Sequence, residues 1–339
     1  MLPPQQFSSS KMSFELNSVG ILRFLLVTFD GQLTLTYTAA PTPSKKGPYN
    51  IFSKIEFRDL TGETRVSASG WLLQNLVNLN KFGYANEYTP TAYGYSTAGF
   101  KWPTAFAASG SPTPIRFSIV VPIAFDEDDP RGAIVLSVPN AKCYLDVTGT
   151  SNIYGPDDDS VAVGGTVTNG SLTGTVYVTQ YYFNPVADKG RIILPELDLK
   201  QVHEIIETQT TANISAGMEK LFSLPVGRVH HMILAEFFNG GPDTTNISRI
   251  RFLYDGNTPT LDENLAQYLW RTRSVYGRDL PEGLFVFDFR KRPWDTTVWG
   301  QLQAGLTVNS GASLSSNTYM KFLTKSLYTE KQLLGGVAQ

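Results

Sequence analysis

The chain has 339 residues, 42% of them apolar and 17% charged, with a formal net charge of −2 and one cysteine. That length suits two domains, and the apolar share excludes global disorder. So low a charge, against a usual share of about a quarter, implies a surface largely covered by other molecules, and the near-neutral balance excludes a chain that coats nucleic acid. Cys143 cannot belong to an intramolecular disulfide framework and, in the alternating run "NAKCYLDV", reads as a small core residue. The first residues, "MLPPQQFSSSKMSFELN", lack the basic-then-apolar order of an export signal. No run approaches the roughly 18 apolar residues of a membrane helix.

Strand signals come first. Ile21–Phe29 ("ILRFLLVTF") and Gln32–Thr38 ("QLTLTYT") flank Asp30-Gly31, which predicts a hairpin. Ile51–Asp59, Thr64–Ala68, Ile115–Phe125, Gly132–Val138, Ala141–Gly149 and Gly174–Phe183 complete a set of eight strand candidates. The short connection Pro139-Asn140 favours antiparallel neighbours. One helix interrupts them: "GWLLQNLVNLNKFG" repeats Leu72, Leu76 and Leu79 on one face, a stripe that fits packing on the sheet.

Leu194–Gly217 reads as a linker that packs locally, its Leu199, Val202, Ile205 and Ile206 spaced for a short amphipathic helix. The second half then offers strands at His230–Phe238 and Ile247–Gly256. In "TLDENLAQYLWR", Thr260 and Glu263 predict a capping box and Leu261, Leu265 and Leu269 repeat every fourth residue. Gly283–Arg290, Gln301–Val308 and Thr318–Tyr328 are the closing strands.

The halves repeat one programme. "SKIEFRD" from Ser53 and "SRIRFLY" from Ser248 share a serine, a basic residue, Ile, a charged residue and Phe in that order. Phe14-x-Leu16 before Val19-Gly20 corresponds to Phe222-x-Leu224 before Val226-Gly227. Ile55 and Phe57 correspond to Ile250 and Phe252, and Leu72 and Leu76 to Leu265 and Leu269. The same elements in the same order mark a duplicated domain.

Three stretches refuse a regular reading: Ala85–Pro114, Thr150–Gly174 and Ser274–Glu282. The first is almost uncharged and aromatic, and Tyr88, Tyr93, Tyr95, Phe100, Trp102 and Phe106 are candidates for a buried interface, where such side chains concentrate. Chemistry is scarce. The three histidines, His203, His230 and His231, form no triad or zinc spacing, and His230 and His231 point to opposite faces of their strand. No phosphate loop, nucleophile elbow or metalloprotease motif is present, so no catalytic residue is assigned. Asp126, Asp128, Asp157 and Asp159, in two acidic clusters, are calcium candidates through their oxygen ligands, although the spacing departs from a calcium loop; otherwise no cofactor is expected. The basic cluster "RKRPW" at Arg290–Trp294 is too small for a nucleic-acid face.

Taken together, the paired "SKIEFRD"/"SRIRFLY" strands, the "WLLQNL"/"ENLAQYL" helices and the alternating strands after them resemble the double jelly-roll major capsid proteins of tailless icosahedral viruses, the tectivirus and adenovirus hexon lineage. The resemblance implies an all-β chain of two tandem eight-stranded antiparallel jelly rolls, each with a short flanking helix. Its parts would be an N-terminal arm (1–12), a first jelly roll (13–190), a linker (191–217), a second jelly roll (218–328) and a C-terminal arm (329–339). It also implies pseudo-hexagonal homotrimers that tile a virion shell after synthesis in a host cytoplasm. Neighbouring trimers, minor capsid and vertex proteins, and an internal membrane met through the terminal arms would be partners, with no sequence-specific nucleic acid. A carbohydrate-binding or carbohydrate-processing protein with two β-sandwich domains is the alternative.

Overall fold

Ile55, Phe57 and Phe252 are completely buried and Ile250 nearly so. Their strand neighbours Lys54, Glu56, Arg249 and Arg251 carry ion pairs instead. Two-residue alternation of this kind makes strands with one face in a core and the other in water. The computed structural model describes residues 1–80, 100–126, 129–136, 138, 141–183, 186–188, 191–193, 201–210, 214–255, 258–297 and 300–329. Its two compact units are Met1–Ile206 and Glu207–Gln339.

Sixteen principal strands fall into two sets of eight. The first set is β1 (Gln5–Gln6), β2 (Lys11–Glu15), β3 (Ile21–Ala39), β4 (Phe52–Arg58), β5 (Thr64–Ala68), β6 (Pro112–Pro122), β7 (Tyr144–Gly149) and β8 (Thr166–Tyr182), with helix α1 (Gly70–Asn80) after β5. The second is β9 (Gln201–Thr210), which the division between units crosses, β10 (Glu219–Leu224), β11 (Val229–Asn239), β12 (Ile247–Tyr254), β13 (Thr258–Asn264), β14 (Leu284–Asp288), β15 (Leu302–Val308) and β16 (Thr318–Thr329), with helix α2 (Leu265–Tyr276) after β13. Strand order in the first set is β1-β8-β3-β6 and β2-β7-β4-β5; in the second it is β9-β16-β11-β14 and β10-β15-β12-β13. Adding eight to every label of the first set gives the second. Both are eight-stranded jelly rolls, and the duplicated phrase lies on β4 and β12, equivalent strands.

The two sheets of each set meet through apolar side chains. In the second unit Phe222, Ile233, Phe252, Phe287, Leu306 and Phe322 share one core. In the first, Phe29, Phe52 and Phe117 come from β3, β4 and β6, their ring centroids 5.3 to 6.3 Å apart.

Several local expectations yield to this arrangement. Asp30-Gly31 is no hairpin turn: β3 runs straight through it for 19 residues. Gly31 lies opposite Gly174 of β8 on one side and Ile115 of β6 on the other. Ladder bonds on both sides outweigh a two-residue turn preference, and Arg116 neutralises Asp30. The glycines meet because nothing larger fits: a Cβ on Gly31 would lie 2.2 Å from the Thr173 carbonyl oxygen and 2.6 Å from the Phe29 ring. Gly31→Ala is therefore expected to destabilise the first unit by about 1–3 kcal/mol, although alanine is ordinarily the better strand residue. Chemical unfolding measures this, and a stabilised variant would contradict the packing.

The irregular stretch expected at Thr150–Gly174 is regular from Thr166 onward, where β8 begins. Its polar side chains face out while Leu172 pairs with Leu33. The segment taken as an N-terminal arm is packed: Leu2 is buried and donates its N–H to the Val178 carbonyl at 2.8 Å, and β1 pairs with β8. The helix expected through Leu199, Val202, Ile205 and Ile206 is strand β9 from Gln201 onward, and Leu199 lies outside the described residues. Its Val202, Ile205 and Ile206 are β-branched, which favours the extended form. Helix α2 starts one turn later than the Thr260/Glu263 box: both residues lie on β13, and Asn264 is the N-cap. Asn264 Oδ1 accepts from the Gln267 N–H at 2.9 Å while Gln267 Oε1 accepts from the Asn264 N–H at 3.0 Å.

Candidate functional site

Two of the three histidines sit against backbone carbonyls. His203 is buried, with Nδ1 at 3.0 Å from the Ile123 carbonyl oxygen and its ring against Phe125. His230 donates Nε2–H to the Pro225 carbonyl at 2.9 Å, and its Nδ1 has no hydrogen-bond partner among the described residues. Burial, reinforced by the Arg228 charge, depresses the His230 pKa to about 4 against the opposing pull of that carbonyl. Cys143 is buried as well, and burial pushes its thiol up to about 12, far from a nucleophile's range.

In each acidic cluster one carboxylate pairs with a cation of the same chain. Asp159 pairs with Lys46 at 2.8 Å, and the Lys46 ammonium lies 5.4 Å from the centroid of the Trp71 ring. Asp157 accepts from the Asp159 N–H, and Asp158 from the Lys45 N–H. The Asp126 N–H closes a turn onto the Asp129 carbonyl, and Asp129 holds Arg131 at 2.6 Å. Asp128 lies outside the described residues. Among the described residues no three acidic, histidine or cysteine side chains converge as a metal site.

Tyr88, Tyr93 and Tyr95 also lie outside the described residues. Phe100, Trp102 and Phe106 are half-buried on the first unit. Trp102 lies against Gly47, where a Cβ would come within 2.0 Å of its ring, and edge-on to Phe106 at 6.4 Å. The Tyr37 hydroxyl donates to the Ala107 carbonyl at 2.9 Å, and the Tyr37 N–H to Ser109 Oγ at 2.8 Å, tying this stretch to β3.

The sequence reading missed one surface. On α2 the buried residues are Tyr268 and Thr272, whereas Leu269, matched to the buried Leu76, is exposed, and so is Trp270. The signal was present as a second apolar spacing through Ala266, Leu269 and Trp270.

Comparisons agree with this architecture. Residues 5–169 match the family described as P3 major capsid protein N-terminal. The major capsid protein P3 of Enterobacteria phage PRD1 is 26% identical over 318 residues, covering 86% of this chain and 77% of that protein. Among solved structures, the capsid protein of Sulfolobus turreted icosahedral virus superposes with a TM-score of 0.69 at 14% identity, over 98% of this chain and 97% of that one. VP54 of PBCV-1 does so with a TM-score of 0.61 at 11% identity, over 96% and 94%. With its strand order written twice, residues 5–169 matching the P3 capsid family model and a PRD1 relative spanning both units, the chain has the double jelly-roll fold and is similar to the major capsid proteins of tailless icosahedral viruses, the building blocks of the virion shell.

Proposed function

We propose that the chain builds its shell as pseudo-hexagonal homotrimers. The observation that carries this reading is the identical strand order of the two units. Three copies of a chain with two like units offer six like corners, and a six-cornered tile covers a flat lattice from one kind of subunit. The role is architectural rather than enzymatic: the buried His203 and His230 each engage a backbone carbonyl instead of a reacting group. Minor capsid and vertex proteins and an internal membrane are further partners in this reading, and no cofactor is required.

Within the trimer, the almost uncharged aromatic stretch is the proposed contact, because aromatic side chains are enriched where protein surfaces bury one another. Replacing Tyr88, Tyr93 and Tyr95 together by serine is expected to leave chain unfolding unchanged and to weaken trimerisation by about tenfold or more. Sedimentation across a dilution series measures this. Wild-type trimer stability in that variant would remove the tyrosines from the contact.

A further inference from the structure

The label shift that carries the first set of strands into the second also carries a strand contact. The first unit ends at Ile206 and so holds the start of β9, the leading strand of the second set. There Ile205 and Ile206 lie parallel to Val66 and Ser67 of β5, with Val66 and Ile205 buried. The outer edge of β5 is thus covered by a strand. Its counterpart β13 ends a sheet with no strand beyond it among the described residues. The register through the equivalent Phe57 and Phe252 makes Leu261 the counterpart of Val66, and Asp262 that of Ser67. Leu261 packs on the core but is only half-buried, as befits an uncovered edge.

The counterpart of β9 is β1, and β1 also ends its sheet. Phe7 donates its N–H to the Gly174 carbonyl at 2.8 Å, on the register that pairs Gln5 with Val176 and Gln6 with Thr175. Bonded and unbonded pairs alternate in an antiparallel ladder, so the N–H and carbonyl of Gln6 point away from β8. Gln6 is exposed. β13 and β1 are therefore matching open edges, and an open edge is a template for a strand from another molecule.

We propose that β1 of one copy adds to β13 of the next, parallel and in the register of β5 and β9, as the contact that closes the homotrimer. In a ring of like units the strand after β16 is β1 of the following copy. Adding eight to both members of the β5–β9 pair then gives β13 and that β1. The contact joins two different edges, so it is heterologous and runs head to tail until a ring closes. β1 has two residues, so its main-chain bonds set register and direction, while other surface, the aromatic stretch included, supplies most of the buried area. This inference rests on the trimer reading and names the strands that meet in it.

Cross-linking of the full-length chain tests the proposal, since the native Cys143 is 1% exposed. Gln6 takes the place of Ile206, because both turn away from the core, and so meets Asp262. A chain carrying both Gln6→Cys and Asp262→Cys, treated with a short bismaleimide, is expected to give covalent trimers as the main product. Either single variant should remain uncross-linked. In parallel, Gln6→Pro removes the outward N–H without touching the β8 ladder. It should leave chain unfolding unchanged and weaken trimerisation about tenfold. Covalent pairs from a single variant would place these residues on a twofold contact and overturn the proposal. Products longer than three chains, or a link closed within one chain, would do the same. Undiminished trimerisation of Gln6→Pro would overturn it too. A wild-type trimer whose double variant yields no links removes the strand contact alone, whereas a wild-type mass other than three chains removes the trimer reading with it.

Discussion

Phe252→Ala is expected to cost the second unit about 3–5 kcal/mol, the range for emptying a fully buried phenylalanine site. The side chain is completely buried, its ring edge-on to Phe287 at 4.6 Å and to Trp294 at 5.4 Å. It joins β12 in one sheet to β14 in the other, so its loss opens a cavity where the sheets meet. Phe57, its counterpart on β4, is equally buried. Phe57→Ala should therefore cost the first unit a similar amount. Denaturant unfolding of both variants measures the pair, and a cost below about 1 kcal/mol at either site would contradict the equivalence of the two cores.

The second large effect is a pH dependence centred on His230. An unfolded histidine titrates near 6.5, and in the folded chain His230 titrates near 4. Between those values the unfolded chain binds the extra proton, so stability rises with pH across the window. The contribution is complete above pH 6.5 and is lost as pH falls to 4, amounting to about 3 kcal/mol. The cause is geometric: Nε2–H already serves the Pro225 carbonyl, and Nδ1 is buried with no hydrogen-bond partner among the described residues to take an added proton. His230→Gln keeps an N–H donor without the titration, and should flatten the stability profile between pH 6.5 and 4. Burial works to raise the carboxyls of Asp146, Asp243 and Asp288, but their hydrogen-bonding partners together hold them below the usual carboxylate range, so their contributions fade at lower pH than this window. An unchanged profile in His230→Gln would contradict the assignment.

What could be read from the sequence is what local chemistry decides alone. The Ile-x-Phe phrase on β4 and β12 was legible because alternation and burial coincide there. α1 was legible because Leu72, Leu76 and Leu79 form one stripe and all are buried. Asp30-Gly31 misled because a turn preference is local, whereas the ladders on both sides of β3 come from residues more than eighty positions away. β9 misled because Val202, Ile205 and Ile206 suit a helical spacing as well as a strand. The two-residue β1 carries no pattern at all; only its pairing with Val176 and Thr175 defines it. For the candidate sites, the pairing of Asp159 with Lys46 across more than a hundred residues was invisible, and so was the exposure of Trp270, which depends on which side of α2 the core takes.

The most direct test of the central claim is the solution mass of the purified chain by light scattering, with and without mild denaturant. A species near three times 37.4 kDa that resists dissociation is the expected result. A stable monomer would contradict the six-cornered tile as the reason this chain carries its jelly roll twice.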